Sequence, residues 1–148
     1  GDVYFNKLYP LGVDAMIEAL DLVKAGIIIK HDQRLEDGSY ESWFKKELVE
    51  IDWSKPVGDV YNLIRAANPA PGAWTTYEGA SLQVYDSRKL DGDGDPGTVV
   101  AVSDDGVTVQ AAGGRVLVKR VRPEGGGKQS AAVWAAGAGL ATGVILGN

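Results

Sequence analysis

Apolar positions in the first 25 residues recur at steps of three and four: Tyr4, Leu8, Leu11, Ala15, Ala19 and Leu22. That spacing predicts a helix with one apolar face, while Asp14, Glu18, Asp21 and Lys24 occupy much of the rest. Pro10 lacks the N–H that would bond the Asn6 carbonyl, which predicts a kink or a restart; Gly26 is placed to end the helix in a left-handed cap. Ile27-Ile28-Ile29 reads as a short buried strand, followed by polar residues up to the turn Glu36-Asp37-Gly38. One helix and one strand cannot enclose a core. They either pack on the sheet predicted below or are the last pieces of a preceding domain.

A second helix is signalled by Ser54 as its cap, Pro56 in its first turn, and Val57, Val60, Tyr61 and Ile64 on its inner face. It must stop near Asn68-Pro69, because proline disfavours helical geometry in the residue before it. From Trp74 onward the pattern changes to short alternating runs: Trp74–Tyr77, Ser81–Tyr85, Thr98–Val102, Val107–Ala111 and Val116–Val121. Turn residues separate them at Glu78-Gly79, across 91–97, at Asp104-Asp105-Gly106 and at Gly113-Gly114. Five strands at this spacing predict an α+β chain with a small OB-like five-stranded β-barrel. Glycines 125–127 form a link, and Ser130 caps a final helix to about Ala136. The two textures meet near residue 70.

Composition narrows the reading modestly. With 45% hydrophobic and 24% charged residues, the chain has the balance of a soluble globular protein. There is no cysteine, so disulfides and thiolate chemistry are excluded, which is compatible with a cytoplasmic setting. No apolar run is long enough to span a bilayer, and the first residues lack a signal-peptide pattern. The absence of an initiator Met suggests a chain that begins partway through a longer protein. A net charge of −5 lowers the expectation of nucleic-acid binding without removing it, because local patches can oppose the mean.

Several segments carry candidate chemistry. Asp91-Gly-Asp-Gly-Asp-Pro-Gly97 opens like a calcium loop, but Pro96 and Val102 stand where an EF-hand needs Gly and a bidentate Glu, so it reads as a turn. His31 is the single histidine and has no convergent partner in sequence. Glu47, Glu50 and Asp52 read as a solvated edge rather than an acid pair. Lys119, Arg120 and Arg122, with Arg115 upstream and Lys128 downstream, form a basic cluster. Alternation would put Arg120 and Arg122 on one strand face and Lys119 and Val121 on the other. Such a cluster is either a solvated strand face or a phosphate-contacting patch. Between Leu63 and Thr75, Pro69, Pro71 and Gly72 fix the backbone and Trp74 supplies an anchor. This rigid frame holds Arg65 and Asn68, and it is either a stiff connector or the lining of a site.

The run Ile64-Arg-Ala-Ala-Asn68-Pro-Ala-Pro71-Gly-Ala-Trp74-Thr75 resembles the linker motif of the formyltransferase family. Ile51-Asp52-Trp53-Ser54, Gly97-Thr98-Val99, Asp105-Gly106-Val107 and the ending from Lys128 through Trp134 to Leu140 are similar as well. Leu8 through Gly26 resembles the helix after that family's catalytic region, so the likeness covers nearly the whole chain. It implies the tail of a Rossmann-like catalytic domain at 1–50, a helical connector at 51–73, and a carboxy-terminal OB-like barrel at 74–148. The missing partner would be an amino-terminal catalytic domain using formyltetrahydrofolate, with methionyl-tRNA as the default formyl acceptor. The family's catalytic Asn, His and Asp have no counterparts here, so the chain alone is expected to be inactive and to bind no cofactor or metal. Arg65, Asn68, Arg120, Arg122, Lys119 and Lys128 are the candidate acceptor- or RNA-binding residues, and Pro69, Pro71, Gly72 and Trp74 the structural linker. Residues 70–148 hold seven basic and eight acidic side chains, which is not a generally basic platform. A small-molecule amine formyltransferase or a formyltetrahydrofolate hydrolase therefore stands as the alternative, and an OB-type RNA-binding module without an enzyme is a further one.

Overall fold

Strand alternation and three α-helices account for most of the architecture in the computed structural model, which describes residues 2–28, 30–40 and 42–147. The chain divides into two units, Gly1–Glu41 and Ser42–Asn148. No described helix is long and apolar enough to cross a membrane.

In the first unit a π-helical stretch, Tyr4–Leu8, runs directly into helix α1, Tyr9–Lys24. Pro10 falls in the first turn of α1, where its missing N–H is tolerated, so the chain changes pitch there instead of breaking. Gly26 takes φ +73°, and the N–H groups of Gly26 and Ile27 bond Val23 O and Leu22 O, closing the helix as the sequence predicts. Ile27 and Ile28 are exposed and outside any strand, which corrects the expectation of a buried strand; Ile29 lies outside the described residues. No described residue of this unit is buried, and Leu11, Met16, Ile17 and Leu20 on α1 are exposed.

The second unit holds the core. Helix α2, Val57–Ala66, begins after Pro56 without a side-chain cap. Ser54 turns the other way, bonding Asp52 Oδ1 through both its N–H and its hydroxyl, so the expected cap is replaced by a turn that leads the chain into the helix. Val60 and Ile64 on the inner face of α2 are buried, and Ala67 follows them into the core.

Six strands form one antiparallel sheet: β1 Ala73–Tyr77, β2 Ala80–Leu90, β3 Val99–Ser103, β4 Gly106–Ala111, β5 Gly114–Pro123 and β6 Gln129–Ser130. The order is β1-β2-β5-β4-β3, with β6 paired to β5. Leu82, Val84, Val107, Val109, Val116, Val118 and Val121 point into the core beside Trp53, Trp134 and Leu146. A continuous ring of strands is not formed: β1 and β3 do not pair with each other. The segment 143–147 runs between them instead, donating from Leu146 N–H to Gly97 O at 2.9 Å and from Gly147 N–H to Thr76 O at 3.0 Å.

Strand β5 departs from simple alternation. Val84 pairs with Val121, Asp86 with Arg120 and Ser87 with Val118, leaving Tyr85 and then Lys119 without a partner across the β2–β5 ladder. The inward set therefore shifts from Val116 and Val118 to Val121, and Lys119 is only half-buried. Helix α3, Ala131–Ala138, is capped by Ser130, whose Oγ accepts from Ala132 N–H, and ends at Gly139 with φ +65°.

Candidate functional site

The connector after α2 is fastened to β2 by side chains from both sides. Asn68 Nδ2 donates to Tyr85 O at 3.1 Å, and Gln83 Nε2 donates to Pro71 O at 2.9 Å. Gly72 takes φ +85°, and a Cβ there would come within 3.0 Å of the Tyr85 ring, so only glycine lets the chain pass. The Tyr85 hydroxyl donates to Gln83 Oε1 at 3.0 Å, and Lys128 Nζ caps the same ring 3.7 Å from its centroid.

Register carries this frame across the sheet. Trp74 pairs with Gln83, and Gln83 with Arg122, so three strands place these side chains in one row. Their neighbours Thr75, Leu82, Val84 and Val121 are buried, which turns the row outward. Trp74 Nε1 donates to Lys46 O at 2.8 Å, and Lys46 Nζ lies 5.2 Å from the indole centroid. Arg122 Nε donates to Gly126 O at 3.1 Å, fixing the guanidinium against the glycine link. At this end a cleft of about 270 Å³ is lined by Lys46, Ser81, Gln83, Arg122, Pro123, Glu124 and Gly125.

The structure thus gathers Asn68, Pro71, Gly72, Trp74, Arg122 and Lys128 on one face. It separates others. Arg65 stands over the Tyr61 ring at 5.3 Å on α2, and Arg120 is exposed opposite Asp86. Arg115 belongs to the loop instead: its Nε donates to Gln110 Oε1 at 3.0 Å and its Nη2 to Asp93 O at 3.4 Å. Gln110, wholly buried, donates in turn to Ala111 O and Gly114 O at 2.8 Å. His31 is exposed in the first unit. Glu50 and Asp52 line a separate cleft with Lys55, Asp59, Val60 and Leu63, whereas Glu47 lies on an exposed turn. The two bonds from Ser54 hold the Asp52 carboxyl below the usual carboxylate range. Lys46, Gln83, Tyr85 and Glu124 belong to the gathered face although sequence patterns did not single them out. The Lys45-Lys46 pair ahead of the connector is the one local signal.

An antiparallel sheet with a preceding helix, joined to it by a pinned proline-rich connector, defines an α+β module. Residues 44–139 match the family described as formyl transferase, C-terminal domain, and the chain belongs to that family. It is 38% identical over 143 residues to a methionyl-tRNA formyltransferase of Geotalea daltonii, covering 97% of this chain and 46% of that protein. A methionyl-tRNA formyltransferase of Trichlorobacter lovleyi is 35% identical, with 95% and 45% covered. The chain therefore spans just under half the length of these relatives. Among solved structures, HypX from Aquifex aeolicus superposes with a TM-score of 0.63 at 21% identity, over 88% of this chain and 24% of HypX. HypX in complex with tetrahydrofolic acid gives a TM-score of 0.58 at 23% identity, over 83% of this chain and 22% of HypX. At that identity the likeness is one of fold.

Proposed function

We propose that this chain is the acceptor-holding part of a cytoplasmic formyltetrahydrofolate-dependent formyltransferase. Residues 1–50 complete a catalytic domain that supplies the cofactor site and the catalytic residues. Residues 51–73 are the connector, and 74–148 form an OB-like barrel closed through the segment 143–147. The acceptor is methionyl-tRNA, held on the outer β1–β2–β5 face by Lys46, Arg122 and Lys128, with Arg120 at the margin. By itself the chain holds an acceptor without formylating it.

The observation that supports this most directly is the Trp74–Gln83–Arg122 row, with Lys46 at the indole end, Arg122 at the other, Lys128 over the neighbouring Tyr85 ring, and the connector bonded to Gln83 and Tyr85. A surface that holds an acceptor gains from being rigidly tied to the segment leading to the reacting centre, because misplacement by an ångström is costly in rate. Cations beside aromatic rings on a strand face are suited to a nucleic-acid backbone and its bases. Retention of tRNA by the 148-residue chain tests the reading. Replacing Arg122 and Lys128 together with Glu should reduce binding at low salt at least tenfold and lower the salt slope by about two. Equal retention by both proteins overturns it.

A further inference from the structure

The cleft beside this row contains a carboxylate that a plain phosphate site would not include. Glu124 lines it together with Lys46 and Arg122. No ion pair joins Glu124 to either cation among the described residues, so it is not there to neutralise them. One of its oxygens, Oε2, accepts from Ser81 N–H at 3.0 Å, a bond between residues 43 apart that fixes where the carboxylate points. Among the described residues no donor meets the other oxygen. Among the described residues Arg122 commits Nε alone, to Gly126 O, which leaves its terminal N–H groups for a ligand. Gln83 is used on both sides of its amide, by Pro71 and Tyr85, and serves as scaffold.

Two cations outside any ion pair among the described residues, with one oriented carboxylate, suit a ligand that is anionic at one end and a hydrogen-bond donor at the other. A phosphate can only accept; a carboxylate can only accept when ionised. The group beside Glu124 must therefore be a donor. In a nucleic-acid strand the donor nearest a phosphate is the ribose 2′-hydroxyl, which DNA lacks. We infer that the Lys46–Arg122–Glu124 cleft is a ribose-phosphate subsite, in which the cations take a phosphate and Glu124 takes the adjacent 2′-hydroxyl. It makes the acceptor-holding face selective for RNA, and it rests on the nucleic-acid reading above.

The test uses the full chain and one hairpin sequence made three ways: as RNA, as DNA, and as 2′-fluoro RNA, whose sugar keeps an RNA-like pucker without a donor. Fluorescence anisotropy at low salt should give about tenfold tighter binding to RNA than to either of the others, the scale of a hydrogen bond to a charged group. Glu124→Ala should bring the three affinities together by weakening RNA relative to the others, and Glu124→Gln, which keeps an acceptor oxygen, should restore part of the preference. Lys46→Ala with Arg122→Ala should weaken all three alike. Binding without discrimination, or discrimination that survives Glu124→Ala, overturns the subsite while leaving the acceptor reading intact. RNA preferred over DNA but equal to 2′-fluoro RNA also overturns it, since helix shape then carries the selectivity. Failure to bind any hairpin overturns both.

Discussion

Trp53 is 4% exposed and donates its indole N–H to Thr75 Oγ1 at 3.0 Å, whereas Trp74 is half-buried and ties the Lys46 carbonyl to the sheet edge. The two tryptophans should therefore separate in denaturant melts. Trp53→Ala should cost about 3–5 kcal/mol, as a large core deletion does, and Trp74→Ala clearly less. Equal losses would mean that the outward ring carries as much of the core as the inward one. Asp52 gives a pH-dependent counterpart. Its folded pKa is lowered, first by the Ser54 hydroxyl and then by the Ser54 N–H, so its contribution is present above the unfolded pKa. That contribution is lost as pH falls through the folded value. The melting temperature of the parent should thus exceed that of Asp52→Asn near neutrality, and the gap should close in acid. A gap independent of pH would assign the loss to the turn's geometry alone.

At the scale of elements, the strands were legible because valines alternate with polar residues from Ser81 through Val121, although Thr108 and Gln110 on β4 are themselves buried. The shift at Lys119 was not. Tyr85 and Lys119 fall out of the ladder through the pairing of β2 with β5, which a single strand's pattern does not contain. The same limit hid half of the candidate face. Arg122 and Lys128 could be read as cations in their own segment, but Gln83 meets Arg122 through strand register, Lys46 joins through its carbonyl bond to Trp74, and Glu124 is oriented by the distant Ser81. The loop 91–97 was legible as a turn, yet not as a held one. Gln110 and Arg115 bond its carbonyls, and Gly92 and Gly94 leave them room. Gln110→Leu fills similar space without the amide and leaves buried carbonyls unpaired. It should cost about 2–4 kcal/mol, measured by denaturant unfolding. A loss below about 1 kcal/mol would mean that water replaces the amide.

For the whole molecule, the apolar core belongs to the second unit, and no described residue of the first is buried. The periodicity of α1 was read correctly, but an apolar stripe does not specify what covers it. Residues 42–148 alone should accordingly unfold cooperatively within about 1 kcal/mol of the full chain, because no described residue of 1–41 is buried. A large loss on deletion would show that the first unit supports the sheet after all.

The segment 143–147 has a consequence for self-association. Its amides and carbonyls occupy hydrogen-bonding positions at Val99 on β3 and at Thr76 on β1, the two outermost strands. Without it, both margins of the sheet would offer unpaired backbone to any extended chain, including a second copy of this one. Five residues act as a guard against fibrous self-association. Shortening the chain to residue 142 should therefore yield protein that binds amyloid dyes and elutes as large species, even where its circular dichroism still reports strand.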